Sequence, residues 1–399
     1  MDADEHGRVK PTTGDGQPTT HKGLPTVLLG DSPLNKIHDG NIHEIAERHG
    51  LDPAKIIDFS ASINPLGVSP KTQKKIVKEG LAAILHYPDP RCSRLGKTLA
   101  EVHRLPEACL LVGAGSTEFI HSLPRRLNMG RVLLVTPAIR EYETALESAG
   151  GERQIHYFET REEDGFELDV EGLLLALTQG YEALYLCNPN NPTGILTEKK
   201  DLLRLLARAE EEKIWFILDE SFVDFVPEES LLSEVPGSCR LIVLRSLSNF
   251  YALPGLRAGY LASNPEVVRD FCRAQTPGAV NALAQLAAAE SLQDKTYAER
   301  TREAVRRERE NLTHGLRSIP GFIPYPSSTN YLLVQLHPSL QLTAGELADR
   351  LIPRGILIRD CQSFHHLGPY FFRIAVRTHR ENLTLLKALR QIHREIIKT

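Results

Sequence analysis

Leu111-Val112-Gly113-Ala114-Gly115-Ser116-Thr117-Glu118 reads as the end of a strand, a glycine-rich turn and the start of a helix. Glycines let the backbone close on a ligand, and Ser116, Thr117 and the open N–H groups of a helix start can bind phosphate. The stretch is neither GxGxxG nor a P-loop, and taken alone a plain helix N-cap explains it equally well. Its weight comes from repetition. Short apolar runs ending in polar or glycine-rich turns recur at Cys109–Val112, Arg131–Val135, Ala183–Leu186, Ile214–Leu218, Leu241–Leu244 and Ala258–Ala262. Longer amphipathic segments separate them, so the pattern predicts βαβ units around a mainly parallel sheet, with ligands at the carboxyl ends of its strands. After roughly Asn281 the character changes. A helical stretch rich in Ala, Glu and Arg runs to about Ser318, and Asn330–Leu336, Ile356–Ile358 and Phe371–Val376 read as strands of a smaller α+β domain.

Several segments carry candidate chemistry. In Cys187-Asn188-Pro189-Asn190-Asn191-Pro192-Thr193-Gly194, two prolines and a glycine predict a rigid turn that can hold the Asn191 amide against a ligand, although a simple loop has the same look. Phe216-Ile217-Leu218-Asp219-Glu220-Ser221-Phe222 puts a carboxylate at the end of a buried strand. A buried Asp needs a cationic or donor partner, or else caps the following turn. Arg257 has the fork geometry to clamp a phosphate. Arg359 and Arg373, at the edges of small-domain strands, would suit a substrate with two anionic groups; ordinary solvated arginines are the bland alternative. The fifteen histidines show no metal spacing such as HExxH, and His365-His366 reads as a loop pair. There is no G-x-S-x-G elbow for Ser/His/Asp hydrolysis.

Bulk properties narrow the field. The 399 residues are 41% hydrophobic and 25% charged, ordinary values for a soluble globular protein. A net charge of -4 and a pI near 6.4 argue against non-specific nucleic-acid binding. The six cysteines lie far apart with no CxxC pair, which predicts reduced, mostly buried thiols. No apolar run reaches transmembrane length and no signal-peptide core opens the chain, so a cytoplasmic location is expected. Residues 1–35 are rich in Gly, Pro, Thr and charge and are expected to form a flexible tail.

Taken in order, GAGSTE (113–118), CNPNNPTG (187–194), LDES (218–221), Arg245-Ser246-Leu247-Ser248-Asn249-Phe250-Tyr251-Ala252-Leu253-Pro254-Gly255-Leu256-Arg257-Ala258-Gly259-Tyr260 and FFRIAVR (371–377) resemble the aminotransferase-type, fold-type I pyridoxal-phosphate (PLP) enzymes. The resemblance runs from about His38 to the C-terminus. Within that group, His38-Asp39-Gly40-Asn41-Ile42, Asp58-Phe59-Ser60-Ala61-Ser62-Ile63-Asn64-Pro65-Leu66-Gly67, Gln275–Ala282 and Ile356–Cys361 are most similar to the threonine-phosphate decarboxylases of cobalamin biosynthesis, with histidinol-phosphate aminotransferases next. The implied fold is α/β, with a large PLP-binding domain at 66–290, an N-terminal arm at 36–65 that joins the small domain, and a small C-terminal domain at 291–399. The resemblance further implies phosphate binding by Gly115, Ser116, Thr117, Ser246 and Arg257, with Asn191 at the ring hydroxyl and Asp219 at the pyridine nitrogen. Tyr87 would reach the phosphate of a neighbouring subunit in a dimer. His38, Asn191, Arg359 and Arg373 would hold a small phosphorylated amino acid. The implied reaction takes L-threonine O-3-phosphate to 1-amino-2-propanol phosphate and carbon dioxide.

Four positions depart from that pattern. Asn249 stands where the family has the lysine that forms a Schiff base with PLP and later moves the substrate proton. The lone pair of an amide nitrogen is delocalised, so asparagine does neither. Since no lysine occurs between Lys213 and Lys295, no close neighbour replaces it. Ile139 replaces an aromatic that stacks on the ring, Ser62 replaces an asparagine that contacts substrate, and Asp39 replaces a glycine beside the substrate phosphate. These changes predict crippled turnover with PLP bound non-covalently or not at all. The alternatives are a catalytically inactive pseudoenzyme, a partner subunit that pairs with a lysine-bearing paralogue, a lysine-free pyridoxamine-phosphate enzyme, and a histidinol-phosphate-type aminotransferase.

Overall fold

The computed structural model describes residues 42–127 and 129–397. The strands are β1 (Ile57–Asp58), β2 (Leu110–Gly113), β3 (Arg131–Thr136), β4 (Gln154–Glu159), β5 (Ala183–Cys187), β6 (Trp215–Asp219), β7 (Leu241–Ser246) and β8 (Gly259–Ala262). They continue as β9 (Phe322–Pro324), β10 (Tyr331–Leu336), β11 (Ile356–Leu357), β12 (Arg359–Asp360) and β13 (Phe371–Ala375). The first six helices are α1 (Ile42–His49), α2 (Pro70–Ile84), α3 (Ser93–His103), α4 (Ser116–Arg126), α5 (Glu141–Ser148) and α6 (Val170–Ala176). After them come α7 (Lys199–Glu211), α8 (Pro265–Ala274), α9 (Ala282–Gln293), α10 (Lys295–Arg317), α11 (Ala344–Leu351) and α12 (His379–Ile396). Residues 1–41, which include the expected tail and the candidates His38 and Asp39, lie outside the described residues.

Seven strands form the main sheet in the order β2-β8-β7-β6-β5-β3-β4, parallel throughout except for β8. The inner strands are buried along almost their whole length, as a sheet covered on both faces requires, so they appear in the sequence as unbroken apolar runs. β4 was not foreseen. Its residues are half-exposed or exposed at the sheet edge, and Gln154-Ile155-His156-Tyr157-Phe158-Glu159 therefore has no continuous apolar signal. The sheet topology brings the ends of β2, β3, β5, β6 and β7 to one side. β8 runs the other way, so its first residue, Gly259, pairs with both Gly113 and Ser246 there.

A smaller antiparallel sheet, β12-β13-β10-β9, packs with α10, α11 and α12 around Phe59, Leu312, Leu332, Leu347, Phe372 and Leu389. β1 pairs with β11 in parallel, and Phe59 is tied on both sides by Phe59 N–H to Leu357 O and Ala375 N–H to Phe59 O, each 2.8 Å. The long helical stretch after Asn281 is two helices. Asp294 ends the first and caps the second, accepting from Tyr297 N–H at 3.3 Å. The Ala-rich α9 is buried in the main-sheet core, whereas the far end of α10 packs in the second core.

Candidate active site

Backbone packing builds the first part of the site. Gly115 has φ +90°, and a Cβ there would lie 2.8 Å from Arg257 Nη2. A Cβ on Gly259 would meet Ser116 N at 2.5 Å and Arg245 O at 2.7 Å, so only glycine lets β8 pass this close to the start of α4. The turn itself is held from behind, since Glu118 accepts from Ala114 N–H at 2.5 Å and from the Gln275 amide at 3.1 Å, and Gln275 also donates to Val112 O. Arg257 takes a left-handed backbone (φ 57°), with its guanidinium 3.5 Å from Thr117 Oγ1. Ser221 Oγ lies 3.4 Å from Ser116 Oγ, and Ser246 ends β7 opposite Gly259. Gly115, Ser116, Thr117, Ser246 and Arg257 thus converge at the N-terminus of an 11-residue helix, where an anion is favoured.

Asp219, buried at the end of β6, accepts from Tyr142 Oη at 2.7 Å and from Ser221 N–H at 2.9 Å. Burial pushes its carboxyl pKa upward against the pull of those donors. A cation beside it would relieve that penalty. Tyr142 went unnoticed in the sequence. Its signal is an aromatic three residues after Ile139, on the first turn of the helix that follows β3. Burial and the Asp219 carboxylate push the phenol well above its ordinary value, so it stays a donor.

The CNPNNPTG loop is tied by hydrogen bonds on several sides. Asn190 accepts from Thr193 Oγ1 at 2.8 Å and donates to Pro137 O at 3.0 Å, and its carbonyl takes Tyr331 Oη at 2.7 Å. Asn188 is tied to Thr197 through both amide atoms. Asn191 is left to face Arg373, whose Nη1 donates to its Oδ1 at 2.5 Å while Nη2 donates to Ser60 O at 2.9 Å. One expectation needs correction. Arg373 is the middle residue of β13, an interior strand of the small sheet, and is 2% exposed rather than lying at a strand edge. Arg359, on the short outer strand β12, pairs with Arg373 in register.

The remaining candidates are spread around these groups. Asn249 follows β7 in a turn, half-buried, with its carbonyl accepting from Asn64 N–H at 3.0 Å. Ile139, half-buried three residues beyond β3, packs against both the main-sheet core and the Phe166–Tyr325–Phe371 cluster. Ser62 is 5% exposed, and its backbone carbonyl accepts from Asn330 Nδ2 at 2.8 Å. Tyr87 is fully exposed. Among the described residues no group of histidine, cysteine and carboxylate side chains has the arrangement of a metal site.

Comparison with known proteins agrees with this geometry. The family model for aminotransferase class I and II matches residues 54–389. Threonine-phosphate decarboxylase from Salmonella typhimurium is 38% identical over 361 residues, covering 90% of this chain and 97% of that protein. The crystal structure of L-threonine-O-3-phosphate decarboxylase from Porphyromonas gingivalis superposes with a TM-score of 0.74 at 29% identity, over 84% of this chain and 98% of that one. Histidinol-phosphate aminotransferase from Clostridium acetobutylicum gives 0.77 at 28% identity, over 84% and 99%. With this sheet order, these motifs and matches across nearly its whole described length, the chain belongs to the aminotransferase class I and II family.

Proposed function

We propose that the chain is a threonine-phosphate-decarboxylase-type protein that holds PLP without a covalent tether. The observation that carries this reading is the pairing of a complete anion cradle with the buried, cation-seeking Asp219, next to a turn whose residue 249 is asparagine. The residues present fit the cofactor. Ser116, Thr117, Ser246 and Arg257 would take its phosphate, and Asp219, steadied by Tyr142, would keep a proton on the ring nitrogen. Ile139 would give apolar contact without aromatic stacking. When bound, PLP would supply an electron sink for the pair left when a bond to the substrate Cα breaks. Arg359 and Arg373 would orient the carboxylate and phosphate of the amino acid, with Asn191 fixing Arg373. The Asn249 amide neither takes up nor gives up a proton in the ordinary pH range, and losing a general acid–base group costs about 10²–10⁴-fold in rate.

The active unit is proposed as a dimer. On α2 and just beyond it, Val77 (86%), Leu81 (73%), Ile84 (58%), Leu85 (71%) and Tyr87 (100%) are exposed, an apolar stripe that a lone chain leaves wet. An identical chain is the simplest cover. A lysine-bearing homologue is the second reading, favoured by a fully exposed Tyr87 on a chain that lacks its own lysine.

The test is a PLP titration followed by borohydride reduction and intact mass measurement. Wild type is expected to bind PLP reversibly and to show no added mass. Asn249→Lys should gain the mass and release carbon dioxide from L-threonine O-3-phosphate. If neither protein binds PLP, the reading fails. If the variant binds covalently but does not decarboxylate, the substrate assignment fails and Ser62 and Ile139 become the reason.

A further inference from the structure

His365-His366, an unassigned loop pair in the sequence, makes a specific contact. His365 Nε2 lies 2.8 Å from Glu143 Oε1, and His366 Nε2 lies 3.3 Å from Glu159 Oε1. Tyr157, which shares a face of β4 with Glu159, stacks on His365 with ring centroids 4.7 Å apart and meets His366 edge-on at 6.1 Å. Glu143 is only 10% exposed at its side chain, so the acceptor has little room to move away from the histidine. His366 adopts a left-handed backbone (φ 64°), a conformation that a non-glycine residue keeps only when its surroundings impose it.

Both ends of this contact lead to the proposed site. Glu143 follows Tyr142, the donor to Asp219. His365 follows Phe364, which is 6% exposed in the cluster of Phe166, Tyr325, Leu367 and Phe371, and over whose ring the Arg359 guanidinium lies at 5.6 Å. The turn between them is tight, with Phe364 N–H donating to Cys361 O at 3.0 Å and Cys361 N–H to Phe371 O at 3.0 Å. We propose that His365 and Glu143 form a clasp that sets the position of Arg359 relative to Asp219, and so act as positioning residues for the anionic end of the ligand. The assignment of Arg359 to ligand rests on the function proposed above; the clasp itself rests on the distances.

Calorimetric binding of L-threonine O-3-phosphate to the full chain in the presence of PLP tests the proposal, together with amide hydrogen exchange over residues 359–364. A charge-assisted hydrogen bond at a half-exposed site predicts that His365→Ala weakens binding about five-fold. The melting temperature should hardly change. His365→Gln, which keeps a donor, should restore affinity to within about two-fold. Combining His365→Ala with Glu143→Gln should add little. Exchange at 359–364 should quicken in His365→Ala with or without ligand. Unchanged affinity in His365→Ala, where Arg359→Gln does weaken binding, would overturn the clasp. If wild type does not bind the probe, the ligand assignment fails and the exchange measurement decides the clasp alone, with unaltered rates counting against it.

Discussion

Tyr142 and Gly259 carry the sharpest tests at the scale of single residues. Tyr142→Phe removes a donor to a buried carboxylate and leaves the ring volume in place. Because donors hold the Asp219 carboxyl down against burial, their loss drives it further up and weakens its charge toward a cation. Stability is expected to fall by about 1–3 kcal/mol in urea unfolding. PLP should bind about ten-fold more weakly by fluorescence titration, one decade for roughly 1.4 kcal/mol; retention of wild-type affinity would remove Asp219 from the cofactor site. Gly259→Ala tests the backbone approach directly, since the new methyl meets main-chain atoms that cannot swing aside. Overpacking of this kind costs about 1–3 kcal/mol. A variant as stable as wild type would mean that the start of α4 yields, and the anion cradle would then lose its rigidity argument. Single residues were also where the sequence was most readable for chemistry. Asn191 and Arg257 each sit in a turn whose glycines and prolines limit the alternatives, and Asp219 shows as a lone carboxylate closing an apolar run. Glu143 was hidden because a helix residue that works through a neighbour has no local signature, and Tyr142 offered only its aromatic ring three residues after Ile139.

At the scale of elements, burial decided legibility. β5, β6 and β7 are buried on both faces and showed as apolar runs, while β4 lies at an edge and did not. The break at Asp294 was lost because Gln293-Asp294-Lys295 carries neither glycine nor proline, and an Asp cap looks like any helix-surface acid. The pairing of Arg359 with Arg373 depends on antiparallel register, which fourteen residues of spacing do not encode. α2 poses a further question, since its solvent stripe is apolar where a surface helix should be polar. Leu81→Glu combined with Ile84→Glu should turn a dimer into monomers by light scattering. Secondary structure should stay intact, because neither side chain is part of a core. A double variant with the mass of wild type would exclude α2 from the interface.

The whole molecule has a pH dependence that can be argued from one residue joining its layers. His103 ends α3, and its Nε2 lies 2.8 Å from Tyr260 Oη of β8 in the main sheet. Burial, helped by the nearby Arg245 charge, pushes the His103 pKa down to about 3. The unfolded chain should take up a proton near the ordinary histidine value of about 6.5, while the folded chain stays neutral. A base whose folded pKa is depressed favours the native state fully above that ordinary value. Its contribution is lost progressively as pH falls from there toward 3. The slope is at most about 1.4 kcal/mol per pH unit, so moving from pH 7 to pH 5 should cost roughly 2 kcal/mol through this residue. Asp219 works in the opposite direction, because a carboxyl raised by burial gains native-state protons on acidification, so the total profile is a composite. His103→Gln separates them, since it keeps an acceptor for Tyr260 but has no titratable ring. Urea unfolding of both proteins at pH 7 and pH 5 should show wild type losing about 2 kcal/mol more than the variant. Equal losses would mean that His103 is protonated in the folded state, and that the α3–β8 contact rests on a charged ring beside Arg245.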